Sequence, residues 1–166
     1  KDFTRKRKLD LKEVLRILLS IGGKSLKVEL MEYFSFNPEM ATSSAFVQQR
    51  EKILPDALQF LFSEFTKTSI KPSTYQGYRL LAVDGSDLNI AHNPKDSENY
   101  FQNKSEARGF NQLHLNAVYD LSSRVYIDAL VQSGRKADER QALIDMMKRS
   151  DLDDKTIIIA DRGYES

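Results

Sequence analysis

Residues 156–166, with the sequence TIIIADRGYES, decide the fold. Their first part is an apolar run, residues 157–160, which begins after Thr156 and is followed by Asp161 and Gly163. A β-branched run of this length that ends in turn residues is typical of a strand buried on both faces. The stretch therefore predicts a strand that carries a carboxylate, Asp161, at its C-terminal end.

A second apolar run, residues 80–83, ends in the same way at Asp84. A buried carboxylate costs free energy unless it is paired, hydrogen-bonded or bound to a cation. Two such groups on adjacent strands would repel one another unless a divalent ion lay between them. Mg²⁺ favours one or two carboxylates together with water and phosphate oxygens, so Asp84 and Asp161 are candidate metal ligands. The alternative is that each Asp caps a turn, because Gly85 and Gly163 follow closely.

Hydrophobic patterning predicts four strands and one helix in the second half of the chain. The predicted strands are residues 79–90, 112–119, 124–131 and 157–160, and the predicted helix covers residues 137–149. Short connections indicate an antiparallel meander, and the helical crossover indicates that the last strand returns parallel to the sheet. This order predicts an α/β fold with a mixed sheet, the partial core of a ribonuclease-H-like domain. A return beside the first strand would place Asp84 and Asp161 next to each other.

The first 70 residues carry the pattern of short helices. Residues suited to begin a helix are Asp10, Ser25, Thr42 or Ser43, and Pro55. The third helix exposes glutamine and arginine, which reach base edges and phosphates in helix-turn-helix modules. The residues that we expect to contact DNA are Ser43, Ser44, Gln48, Gln49, Arg50 and Lys52. The alternative is a small helical bundle whose polar face is merely solvated.

Charge supports a division of the chain into unlike parts. Residues 1–79 carry 14 Lys and Arg against 9 Asp and Glu, and residues 80–166 carry 11 against 15. A basic part followed by an acidic part suits a polyanion-binding arm joined to a carboxylate-bearing core. We therefore expect a helical DNA-binding module at residues 1–70, a linker at 71–78 and an incomplete catalytic domain at 79–166.

Composition excludes several classes of protein and site. The 166 residues contain no cysteine and two histidines, so disulfides and thiolate metal sites are excluded and oxygen ligands must hold any metal. No apolar run is long enough to span a bilayer, and the N-terminus lacks the apolar core of a signal peptide, so we expect a cytoplasmic protein. Because the sequence does not begin with Met and ends just after a predicted strand, we expect a fragment.

Three stretches resemble the catalytic blocks of DDE transposases from bacterial insertion sequences, specifically the insertion-sequence-four family. They are LLAVDGSDLNI, NQLHLNAVYDLSSRVYIDALVQ and IIIADRGYES. The N-terminal SLKVELMEYF and SSAFVQQREKILPDAL also resemble the DNA-binding region of that family. The resemblance implies that Asp84 and Asp161 are the first two acids of a catalytic triad. Both would be ligands of Mg²⁺ or Mn²⁺, with two ions in the complete site.

The same resemblance implies partners and one missing residue. The partners are terminal inverted-repeat DNA and a second transposase copy, as a homodimer. The third acid, a Glu within a Tyr, Arg, Glu, Lys motif, has no counterpart in the sequence, so we expect a catalytically incomplete chain. Arg162 would contact the scissile phosphate or form an ion pair, and both interpretations stay open.

Two other functions fit the same sequence. One is a non-catalytic DNA-binding regulator whose α/β part binds a ligand or a partner. The other is a ribonuclease-H-like nuclease that acts without transposition. An unchanged metal affinity after Asp84→Ala would favour the regulator.

Other polar residues of the α/β part have less specific interpretations. Asp87 should alternate to the sheet face opposite Asp84. We expect His114 on the surface of the sheet and Asp128 facing solvent. Tyr164 either stacks on a base or packs under the sheet, and packing is the commoner role.

Overall fold

A computed structural model describes residues 8–69, 73–102, 108–150 and 152–164. The predicted linker falls partly on residues 71 and 72, which lie outside this described part. The chain divides into two compact units, Lys1–Leu61 and Phe62–Ser166. Every helix among the described residues is too short or too polar to cross a bilayer.

The first unit is helical, and its helices begin where the sequence predicts. The helices are α1 (Leu11–Ser20), α2 (Leu26–Tyr33), α3 (Ser43–Arg50) and α4 (Pro55–Ser69), of which α4 continues into the second unit. The Asp10 carboxylate accepts from the Glu13 N–H at 2.8 Å and caps α1. The Thr42 hydroxyl accepts from the Ala45 N–H at 3.2 Å and caps α3. The buried core consists of Leu9, Val14, Ile17, Leu30, Ala41 and Phe46.

The second unit is a mixed α/β fold built on one five-stranded sheet. Its strands are β1 (Arg79–Ile90), β2 (Tyr100–Phe101), β3 (Phe110–Asp120), β4 (Val125–Ser133) and β5 (Thr156–Ile159). Helix α5 (Glu139–Arg149) connects β4 to β5, and a short 3-10 turn (Arg162–Tyr164) follows β5. Strand β3 pairs antiparallel with β1, β2 and β4, whereas β5 pairs parallel with β1. The predicted fold class, a partial ribonuclease-H-like core, is confirmed; the two-residue β2 was not predicted.

Helix α5 covers one face of this sheet. Leu81 and Val83 of β1 and Val118 of β3 pack against Met146 of α5, and all four side chains are buried. Alternation along β1 directs Ala82 and Asp84 to the opposite face. The apolar side chains therefore fix the helix on one face and leave Asp84 on the other.

Strand β5 is less buried than the sequence predicts. Ile157, Ile158 and Ile159 are 43%, 40% and 46% exposed, so the prediction of a strand buried on both faces is wrong. The physical reason is the position of β5 at the edge of the sheet, with β1 as its neighbour on one side. An edge strand is shielded from water by its one neighbouring strand, and its other side stays exposed.

A buried ion pair joins the start of β1 to the end of β3. The Arg79 Nε lies 2.8 Å from Oδ2 of Asp120, which is 1% exposed. Oδ1 of Asp120 accepts from the N–H groups of Ser122 and Ser123 at 3.0 and 2.9 Å. Burial alone would raise the pKa of Asp120, but the N–H of Ser123, the guanidinium of Arg79 and the N–H of Ser122 outweigh it and lower this pKa.

Replacing Asp120 with Asn should lower the free energy of unfolding by about 2 to 4 kcal/mol at neutral pH, because the buried partner of Arg79 loses its charge. Since the pKa of Asp120 is lowered on folding, its contribution is present above the ordinary aspartate pKa and is lost as the pH falls through the folded-state value. Urea unfolding at neutral and acidic pH measures both effects.

The matched control for this variant is Asp154→Asn, at an exposed turn position. The two variants should differ at neutral pH and converge in acid. An equal loss in both variants, or a difference that persists in acid, would contradict the assigned role of Asp120.

Candidate active site

The parallel pairing of β1 with β5 brings Asp84 and Asp161 to adjacent strands. The last paired residues in this ladder are Ala82 and Ile159. Asp84 lies two residues beyond Ala82, and Asp161 lies two residues beyond Ile159. Paired residues of adjacent strands share a sheet face, and a step of two residues returns a chain to that face. The two acids thus follow the same register pair by the same step, Asp84 within β1 and Asp161 just after the end of β5.

Each carboxylate has one backbone contact of the turn-capping kind. Oδ1 of Asp84 accepts from the Gly85 N–H at 2.9 Å, and Oδ1 of Asp161 accepts from the Gly163 N–H at 2.8 Å. Within the described residues, neither carboxylate forms an ion pair and neither Oδ2 is hydrogen-bonded. Turn capping therefore accounts for one oxygen of each acid and leaves the second oxygen for a ligand.

The exposure of these acids corrects one step of the sequence argument. Both Asp84 and Asp161 are exposed. Water screens their repulsion, so their proximity by itself does not require a cation. The case for a metal ion depends on the chemistry of the donors, because unpaired carboxylate oxygens are the ligands that Mg²⁺ and Mn²⁺ prefer.

The pKa of one nearby tyrosine, Tyr164, depends on both acids. Burial, followed by the negative charges of Glu139, Asp84 and Asp161, raises the pKa of Tyr164 to about 12. The Tyr164 side chain packs with the buried core under α5, which fits the packing role expected for it. Its hydroxyl is buried and has no hydrogen-bond partner among the described residues. One phenol therefore lies within electrostatic reach of both candidate ligands.

The donor set of this site is small. Among the described residues, no three His, Cys, Asp or Glu side chains are grouped so that they could hold a metal ion. The site thus offers a pair of carboxylates, and two carboxylates are within the number that Mg²⁺ uses when water and phosphate oxygens complete its shell. The residues present fit a divalent ion of this kind.

A depression of about 480 Å³ adjoins Asp84 on the sheet face away from α5. Ala82 and Ser86 of β1 line it on either side of Asp84, and Leu115 and Ala117 of β3 line the neighbouring strand. The floor of this depression is mostly apolar. Asp84 is the charged residue among those that line it. A ligand that contacts Asp84 would lie over apolar sheet surface.

Arg162 follows Asp161 in the 3-10 turn and is exposed. It takes part in none of the ion pairs of the described residues. Of the two interpretations left open by the sequence, contact with a phosphate therefore fits this position, and no carboxylate of the described residues pairs with Arg162.

Two polar residues of the sheet differ from their sequence-based interpretation. His114 is 8% exposed, so the expectation of a surface histidine is wrong. The reason is that its face of β3 is the one covered by α5. Asp128 does not face solvent, because Arg149 binds both of its carboxylate oxygens at 2.7 Å. Asp87 lies on the face opposite Asp84, as predicted, where it is the register partner of His114.

Sequence reasoning missed Glu139. This residue begins α5, and its carboxylate lies 3.1 Å from Nε2 of His114. A first-turn glutamate after the Asp138 cap is ordinary for a helix start. The sequence therefore held no signal that would distinguish it.

The predicted DNA-contacting residues of α3 divide into exposed and covered ones. Ser44, Gln48 and Arg50 are exposed, whereas Ser43 and Lys52 are half-buried. Gln49 is 5% exposed, so its predicted outward orientation is wrong.

Helical periodicity explains the burial of Gln49. It lies three residues after the buried Phe46 and therefore on the same helix face. For the other five residues, contact with DNA stays a prediction.

The family is shown by comparison of the sequence with known proteins. Residues 75–166, more than half of the chain, match the family described as "Transposase DDE domain". Comparison with curated proteins and with solved structures gave no match. The matched region contains β1, β5 and both of the acids that their pairing brings together. The chain belongs to the DDE transposases.

Proposed function

We propose that this protein is a DNA transposase of the insertion-sequence-four family that acts on DNA in the bacterial cytoplasm. Asp84 and Asp161 are the acids of its phosphodiester-cleavage site, and they bind Mg²⁺ or Mn²⁺. The observation that supports this proposal is the parallel pairing of β1 with β5 within the matched domain, because Asp84 lies in β1 and Asp161 follows β5.

The proposed site assigns a task to each residue. Asp84 and Asp161 hold the ions through their unoccupied oxygens, while the N–H groups of Gly85 and Gly163 orient the carboxylates. Arg162 contacts a non-bridging phosphate oxygen, which suits an exposed guanidinium. Two bound ions would supply an activated water and stabilise the leaving 3′ oxygen.

We further propose that the 166 residues bind metal without completing the catalytic triad. The resemblance implies a Glu within a Tyr, Arg, Glu, Lys motif, and this motif does not occur in the sequence. Strand cleavage of DNA by this chain in the presence of Mg²⁺ would contradict the proposed incompleteness.

Asp84→Asn and Asp161→Asn should each weaken Mn²⁺ binding by about tenfold or more, because each removes one of two charged ligands. Electron paramagnetic resonance of free Mn²⁺ measures the affinity. Asp154→Asn, which removes the same charge at an exposed turn, should bind as the unmodified protein does. Equal affinities in all of these proteins would favour the non-catalytic regulator.

The proposed DNA partner is terminal inverted-repeat DNA, held by two transposase copies as a homodimer. The helical unit supports this because α3 carries Ser44, Gln48 and Arg50 on its exposed side. Affinity for DNA should come mainly from phosphate neutralisation by basic side chains.

Arg50→Ala should weaken binding to a mixed-sequence DNA duplex and reduce the slope of log K against log salt by about 0.9, which is the effect of one phosphate contact. Fluorescence anisotropy over a salt series measures both quantities. Arg16→Ala, which removes an exposed arginine from α1, should leave the slope unchanged. Identical slopes in the two variants would exclude α3 as the phosphate-binding helix.

A further inference from the structure

A polar cluster around a buried histidine lies on the sheet face covered by α5. Its centre is His114 of β3, which is 8% exposed. Asp87 of β1 faces the ring on one side, and Glu139 at the start of α5 faces it on the other. Neither the proposed metal site nor the DNA surface accounts for this cluster.

Both ring nitrogens of His114 face carboxylate oxygens. Nδ1 lies 2.8 Å from Oδ1 of Asp87, and Nε2 lies 3.1 Å from Oε1 of Glu139. Nε2 is buried and has no hydrogen-bond partner within the described residues. The ring is thus hydrogen-bonded to Asp87 through Nδ1 and lies against the Glu139 carboxylate on its other side.

The cluster contacts β1 at the residue after Asp84. A Cβ atom added to Gly85 would lie 2.5 Å from Oε1 of Glu139 and 2.7 Å from Nε2 of His114. Both side chains thus lie against the backbone at Gly85, where the Cβ of any other residue would clash with them. The position of this polar cluster therefore fixes the position of β1 at Gly85.

The beginning of α5 is anchored at the same place by uncharged groups. The Asp138 N–H donates to Oε1 of Gln132 at 3.0 Å, and Nε2 of Gln132 donates to the Asp138 carbonyl at 3.2 Å. Asn116, the register partner of Gly85, donates from Nδ2 to Oε1 of Gln132 at 3.2 Å. The start of α5, β3 and β4 are thus hydrogen-bonded together behind β1.

We propose that His114 is a positioning residue that, together with Glu139, holds the start of α5 and the β1 backbone together at Gly85 and thereby sets the position of Asp84. The effect on Asp84 rests on the proposed metal site, whereas the contact at Gly85 does not. His114 touches no ligand in this proposal and acts through Glu139 and Gly85.

The experiment has two independent readouts on the whole chain. The first is Mn²⁺ affinity at neutral pH together with the electron paramagnetic resonance spectrum of the bound ion, which report on the position of Asp84. The second is amide hydrogen exchange of Gln141 and Ala142 in the first turn of α5, which reports on the contact of α5 with β1.

We expect His114→Gln and Glu139→Gln each to weaken Mn²⁺ binding by about tenfold, the size typical of groups that orient metal ligands. Both variants should also accelerate amide exchange of Gln141 and Ala142, because the contact of α5 with Gly85 loosens. Glu139→Gln, of nearly unchanged shape, serves if His114→Gln does not fold. His92→Gln, which replaces the other histidine of the chain, is the matched control and should leave both readouts unchanged.

The outcomes separate this inference from the proposed function. Mn²⁺ affinity or amide exchange that is unchanged in both His114→Gln and Glu139→Gln overturns the inference. If the unmodified protein binds no Mn²⁺, the proposed function fails. The contact at Gly85 is then decided by amide exchange of Gln141 and Ala142, which should accelerate in Glu139→Gln.

Discussion

The arrangement of the second unit depends on the parallel pairing of β1 with β5. Asp84 and Asp161 are far apart in sequence, and no local interaction could bring them together. Packing of Met146 against Leu81 holds α5 on one face of the sheet, and the chain then re-enters the sheet beside β1. The buried face under α5 thus provides the free energy that keeps the two acids on adjacent strands, although neither acid belongs to that core.

Consecutive residues of β1 contribute to opposite faces of the sheet. Asp84 points away from α5 into an open depression, while Gly85 receives the polar cluster of His114 and Glu139 from the other side. Because successive residues of a strand alternate between faces, a displacement of the backbone at Gly85 moves Asp84 as well. The absence of a side chain at Gly85 lets His114 and Glu139 lie directly against the main chain of the candidate site.

The two groups of acids are stabilised by different means. Asp84 and Asp161 are exposed, so water screens their charges and leaves one oxygen of each for a ligand. Asp87 and Glu139 are partly exposed as well, but each lies against the buried ring of His114. Burial, together with the charges of Glu139 and of both exposed acids, raises the pKa of Tyr164 to about 12.

The sequence by itself determined the helix starts, the order of strands and the alternation of β3, because a cap such as Asp10 or Thr42 acts within three residues and alternation is a local property. It also predicted the return of β5 beside β1, since short and helical connections restrict topology. Periodicity gives the phase of a side chain but not which face is covered. Only the tertiary structure therefore decided that Ile157 lies on an edge, that His114 and Gln49 are buried, and that Glu139 meets His114.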